Sequence, residues 1–226
     1  MQKMRIAFLL CFLLLWSTNM FAQGYFLDRS DITLEYVRKD ASDGKFRWRH
    51  KVRVIDETHS GNQTKYTTES IFTRQNGKPL YRSNVIEITW VENGTGNLRL
   101  DIGEAMASYI KARTGISATG SGVLSSLPAD IEPGDTLLPV VAQAKVGPLT
   151  YSVIVNNRKV LRRETIKVPA GTFDCIVVAE NKHETGPGHN RKVYNVTWYC
   201  KGVGYVRHDT YVKGVLDTSE ILQAKY

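Results

Sequence analysis

The stretch Lys45-Phe46-Arg47-Trp48-Arg49-His50-Lys51-Val52-Arg53-Val54-Ile55 decides the fold. Phe46, Trp48, His50, Val52 and Val54 alternate with Lys45, Arg47, Arg49, Lys51 and Arg53. Successive side chains of a β-strand point to opposite faces, so this alternation gives one sheltered face and one wet face. Cations side by side on the wet face repel one another and require water, acidic neighbours or an anionic ligand. Glu35 and Glu69 lie on the expected neighbouring strands and are placed to neutralise part of that charge. Lys45, Arg47, Arg49, Lys51 and Arg53 are therefore the candidate anion-binding face.

The same period continues outward from this strand. Thr33 to Lys39 reads as a strand before it, with Asp40 to Gly44 as the connecting turn. Tyr66 to Arg74 follows, then Asn76-Gly77, whose residues accept positive φ and favour a hairpin. Leu80 to Val91 reads as the return strand, Asn93-Gly94 as a turn, and Asn97 to Ile102 as another strand. Glu104 to Arg113 carries Ala105, Met106, Tyr109 and Ile110 at helical spacing. Gly115 to Ser126 has the composition of a flexible loop. Leu127 to Pro139 holds three prolines and reads as an irregular connection. Tyr151 to Val155, Val160 to Val168, Phe173 to Glu180, Val193 to Cys200, Gly204 to Tyr211 and Leu216 to Leu222 complete the strand pattern. The expected fold class is mainly β, with at most one or two short helices. The first half alone would leave an apolar sheet face uncovered, so residues 23–226 are read as one domain.

The first 22 residues have a different character. Lys3 and Arg5 precede the apolar run Ile6 to Trp16, and Ser17 to Ala22 forms a polar stretch ending in a small residue. That order is a cleavable secretory signal, with cleavage expected after Ala22 and a periplasmic or secreted product. Cys11 sits inside the apolar run behind Leu10, which argues against acylation there. Loss of Lys3 and Arg5 lowers the formal charge from +8 to +6. In an exported chain a modest basic excess points to acidic glycans, anionic headgroups or a merely solvated surface, and not to nucleic acid.

Gly186-Pro187-Gly188 is a natural reversal point. A hairpin centred there sets Cys175 opposite Cys200, Val177 opposite Trp198 and Ala179 opposite Val196. On the other face Asp174 meets Lys201 and Ile176 meets Tyr199. One register thus yields an apolar face, an opposite-charge pair and juxtaposed cysteines. A Cys175–Cys200 disulfide is the favoured reading in an oxidising compartment, with two packed thiols as the alternative.

These residues also carry a family resemblance. Asn157-Arg158-Lys159-Val160, Glu164-Thr165, Val168-Pro169-Ala170-Gly171-Thr172-Phe173-Asp174-Cys175 and Trp198-Tyr199-Cys200-Lys201-Gly202-Val203-Gly204-Tyr205-Val206-Arg207 resemble the hallmark of TapB-like exported bacterial proteins. The resemblance implies a curved antiparallel sheet, a half-barrel or open barrel akin to those of lipoprotein carriers. It implies a cell-envelope setting and carries over no catalytic residues.

Motifs for chemistry are sparse. Gly120-Ser121-Gly122 lacks the spacing of a nucleophile elbow. The histidines His50, His59, His183, His189 and His208 form no His-Glu-x-x-His, and the best metal grouping, His183 and His189 with His208 or Asp209, has no diagnostic spacing. No metal and no cofactor is expected. The functional expectation is a non-catalytic binding or scaffold protein of the envelope. Its expected ligand is lipid-like or an acidic glycan, with peripheral membrane contact compatible. The alternative is an envelope hydrolase with a site assembled from dispersed residues.

Overall fold

The computed structural model describes residues 23–226, so the secretory signal and Cys11 lie outside the described residues. Strands β1 (Thr33–Asp40), β2 (Phe46–Ser60), β3 (Gln63–Thr73), β4 (Val85–Glu92) and β5 (Leu98–Leu100) form a first antiparallel meander. A helix, α1 (Ile102–Thr114), and the short strands β6 (Thr119–Gly122), β7 (Ser125–Leu127) and β8 (Thr136–Leu137) follow. The second meander comprises β9 (Val140–Val146), β10 (Leu149–Val168), β11 (Gly171–Gly186), β12 (His189–Cys200), β13 (Gly204–Val212) and β14 (Val215–Lys225). First and last strands pair with each other, β1 with β14, which merges both meanders into one 14-stranded sheet.

The edges of this sheet are β6 and β7. Only Val123 and Leu124 separate them in the chain. The step from Gly122 to Ser125 spans at most ~11 Å, whereas a flat sheet of this order would be about 60 Å wide. The sheet therefore curls until its edges meet, yet they do not pair, so it stays an open, curved antiparallel sheet. Helix α1 packs on β4, β6 and β9, strands from both ends, and so spans the gap. Its N-terminus is capped by Asp101, whose carboxylate accepts from the Glu104 N–H at 3.0 Å, and its C-terminus by Gly115 at φ 81°. A Cβ on Gly103 would stand 2.5 Å from the Ser121 backbone, and one on Gly120 2.1 Å from the Gly103 carbonyl carbon. The helix crosses the edge strand at this closeness because both positions lack a side chain.

The Gly115 to Ser126 stretch, expected as a loop, supplies both edge strands. Short polar residues carry no apolar alternation, and β6 stays largely exposed at the sheet edge, meeting the helix closely at Gly120. Tyr151–Val155 and Val160–Val168 merge into the single long β10. The Asn-rich break between them is a bulge with register shifts after Asn156 and Val160, and Asn157 takes φ 49°.

The β11–β12 register is the expected one: Ile176 faces Tyr199, Val177 faces Trp198 and Ala179 faces Val196. The disulfide is not formed; Cys175 and Cys200 are both free thiols. The β11–β12 ladder ends at Ile176–Tyr199, one pair short of the cysteines. Beyond it Cys175 is tied to Glu164 of β10, and Cys200 to Gly204 of β13. Their thiols turn to different carbonyls, Phe173 at 3.6 Å and Lys201 at 3.5 Å. Burial pushes the Cys175 thiol up to about 12 and raises Cys200 as well.

Candidate functional site

Register places one set of side chains on the inner face of the curl. Arg38 stands opposite Trp48 and Glu220, Tyr36 opposite His50 and Leu222, and Leu34 opposite Val52. His50 faces Phe72, and Glu220 faces His208, which faces Thr197. Phe72 meets Tyr109 of α1 at a centroid distance of 6.1 Å, which fixes this as the face the helix covers. Along the strands the face changes character. At one end Leu34, Val54, Tyr66 and Leu222 join Leu27 and Val203 in an apolar core. Toward the other end it becomes polar and aromatic.

At the junction lies a buried hydrogen-bond network. His50 Nε2 is 3.0 Å from Ser70 Oγ, and His50 Nδ1 is 3.2 Å from Glu220 Oε1. The Tyr205 hydroxyl donates to the same oxygen at 3.3 Å, and Arg38 donates to Glu220 Oε2 at 3.3 Å. The other Arg38 N–H groups reach Thr218 and Thr210. The His50 ring stacks on Phe72 at 4.3 Å, and Tyr36 stacks on Tyr205 at 4.5 Å. Burial alone would raise the Glu220 carboxyl. The hydrogen bond and charge of His50, with the charge of Arg38, outweigh it and hold the group at about 2. His208 is held down to about 4, first by burial and then by Arg38. Burial raises Glu87 on the neighbouring β4. Glu87 and His208 nevertheless keep partial solvent contact.

Serine hydroxyl, imidazole and carboxylate follow here in the order of a hydrolase triad. Ser70, however, is 2% exposed in β3, with Val52 and Val85 paired on either side, and Phe72 covers the imidazole. An acyl group has no approach to its Oγ while the sheet is intact. The arrangement fixes the His50 ring and satisfies buried polar groups.

The cations of the β2 wet face are mostly held by carboxylates. Lys51 lies 3.2 Å and Arg49 2.9 Å from Glu35, and Arg53 lies 2.8 Å from Glu69. Arg47 pairs with Asp40, while Lys45 sits just before the strand, exposed. The loop histidines stay apart from the inner face: His183 contacts Asn190 at 2.9 Å and His189 contacts Glu184 at 3.4 Å. Among the described residues no three His, Cys, Asp or Glu side chains gather as a metal site, and no helix is long and apolar enough to cross a membrane.

A second feature went unmarked in the sequence. On the outer face Asn156, Asn181, Tyr194 and Tyr211 form one row of directly paired residues across β10 to β13. His183 and Lys192 pair in the next row on that face. The β13–β14 hairpin tip, Lys213-Gly214, has φ 51° and 81°, the two positive values of a tight hairpin turn. Together with Asn157, Lys182, Val193 and that tip, these residues line an open cleft of about 450 Å³. Its free charges are Lys192 and Lys213, with His183 beside them and no carboxylate in the lining; Lys182 borders it, but its ammonium pairs with Glu184 toward the His208 side. Dispersed over four strands and a turn, they share no sequence spacing that would reveal them.

The model of the DUF3108-like family matches residues 32–222. The chain belongs to that family. A Bacteroides fragilis protein, a "putative exported protein with YmcC-like fold", is 20% identical with a TM-score of 0.72. A "putative lipoprotein" of Parabacteroides distasonis is 18% identical with a TM-score of 0.74. Each comparison covers 90% of this chain and 99% of the other. At these identities the likeness is one of fold. No curated protein matches the chain significantly.

Proposed function

We propose that this DUF3108-like protein is exported to the cell envelope and acts there by binding an acidic, polar envelope ligand, without catalysing a reaction. The outer cleft carries the reading: an open concavity of about 450 Å³ lined by lysines, tyrosine rings and asparagine amides. That volume falls within the range of small-molecule sites. The secretory pattern of residues 1–22 and the exported and lipoprotein character named for its structural relatives support the location. A lipid-tail carrier fits less well, because the apolar end of the inner face is occupied by Leu34, Val54, Tyr66 and Leu222. Native mass spectrometry of protein purified from its own envelope should show a stoichiometric non-covalent ligand. Repeated absence of any ligand would favour a scaffold instead.

One observation favours a hydrolase, the Ser70–His50–Glu220 order. Burial of Ser70 weighs against it, and an alkyl fluorophosphonate is expected to leave the folded protein unlabelled. A Ser70 adduct lost in Ser70→Ala would reverse that preference.

A further inference from the structure

We propose that the outer cleft is a site for an anionic saccharide, a short chain of carboxylated or phosphorylated sugars. The proposal rests on the binding reading above and gives it a ligand class. Three features of the cleft converge. First is charge without compensation: among the described residues no carboxylate forms an ion pair with Lys192 or Lys213, whereas Lys182 is held by Glu184 at 2.8 Å. This contrasts with the β2 face, where Glu35, Glu69 and Asp40 occupy the cations. Second is a pair of aromatic plates. Tyr194 is 40% exposed, and its ring lies 5.9 Å from that of Tyr211, tilted by 59°. The exposed Tyr194 ring, backed by the half-buried Tyr211, offers a flat apolar face to sugar C–H groups and a hydroxyl to sugar oxygens. Third is a run of neutral hydrogen-bonding amides, Asn156, Asn157 and Asn181, each able to donate and accept toward sugar hydroxyls.

The layout suits a short chain more than a single ion. The row from Asn156 to Tyr211 crosses three inter-strand spacings, about 14 Å. Lysines stand beside that row at Lys192 and at the hairpin tip. No arginine lines the cleft, so recognition is by point charge and not by a bidentate fork. The bulge at Asn156–Asn157 and the tight turn at Lys213–Gly214 fix two walls of the cleft, so little ordering is left to binding.

The test is isothermal titration of the mature chain with an oligogalacturonate, and with maltotetraose, inorganic phosphate and phosphatidylglycerol vesicles as separate arms. Oligogalacturonate should bind, with affinity falling as salt shortens the Debye length from ~8 Å at 0.15 M to ~3 Å at 1 M. Lys192→Gln with Lys213→Gln should weaken it by about tenfold or more, equivalent to ~1.4 kcal/mol. Tyr194→Ala should weaken it as well. Arg49→Gln with Lys51→Gln, on the paired β2 face, should leave it unchanged. Phosphate binding as tightly as the oligosaccharide would replace the saccharide with a simple anion site. Equal binding of maltotetraose, vesicle binding without saccharide binding, or indifference to the cleft variants would each overturn the proposal. If an envelope ligand still co-purifies with the Lys192→Gln, Lys213→Gln protein, the saccharide site fails and the binding reading stands. If none co-purifies with the wild type, the binding reading fails on its own account.

Discussion

Acidification from pH 7.5 to 4 should destabilise the protein through His208, and the effect should vanish in His208→Asn. His208 lies on the inner face, its Nδ1 2.8 Å from Thr197 Oγ1, with Arg38, Glu220, Lys182 and Asp209 as the charged groups around it. Burial, reinforced by Arg38, lowers it from 6.5 to about 4. A histidine depressed in the folded state stays neutral while the unfolded chain binds a proton. Its contribution is thus fully present above pH 6.5 and declines until the folded group also titrates near 4. The full loss is about 3 kcal/mol at 1.36 kcal/mol per pKa unit. In a chain of this size that corresponds to a fall of roughly 6–12 °C in Tm. The Glu220 carboxyl, held at about 2, loses its contribution only below its unfolded value near 4.5 and so hardly enters this window. Glu87 acts in the opposite sense, since a raised carboxyl pKa relieves a penalty as pH falls. The assay is urea unfolding of wild type and His208→Asn at half-unit pH steps, with the difference between them isolating His208. NMR titration of the imidazole gives the folded pKa directly. A His208 that titrates near 6.5, or two proteins with parallel pH curves, would refute the reasoning.

Glu220→Gln removes the carboxylate shared by His50, Arg38 and Tyr205 and leaves a buried guanidinium without its counter-charge; it should cost about 3–5 kcal/mol. A loss under 1 kcal/mol in denaturant unfolding would mean the network is solvated. Gly103→Ala drives a Cβ into the Ser121 backbone and should cost ~1–3 kcal/mol; unchanged stability would show that α1 does not cross β6 so closely. Thiol titration of denatured, unreduced mature protein should count both Cys175 and Cys200 as free, and a count near zero would contradict the structure.

What the sequence made legible was local. The alternation of Lys45 to Ile55 identified a strand and its two faces, because a period of two is written in consecutive residues. The β11–β12 register was readable because a single reversal at Gly186-Pro187-Gly188 fixes every pair on either side. Where a signal had two structural meanings, the reading failed. Asn156-Asn157 marks a turn in most contexts and here is a bulge inside β10. Gly120-Ser121-Gly122 looks like a linker but is an edge strand under a helix. The cysteines follow the right register, but the ladder ends one pair short of them. Neither candidate site was legible. Arg38, His50, Ser70, Tyr205 and Glu220 converge only because β1 pairs with β14, and the free cleft lysines come from β12 and a hairpin tip.

That pairing of first strand with last also sets an order of assembly. The Thr33 N–H bonds the Tyr226 carbonyl at 2.7 Å, and the β1–β14 ladder runs through the middle of the sheet. Strand β1 keeps one edge unpaired until β14 is in place. Until then Arg38 lacks its counter-charge and His50 its hydrogen-bond partner, since Glu220 lies on β14. The network around Glu220 thus depends on the strand pairing most distant in sequence, which carries the largest loop-closure cost of the fold.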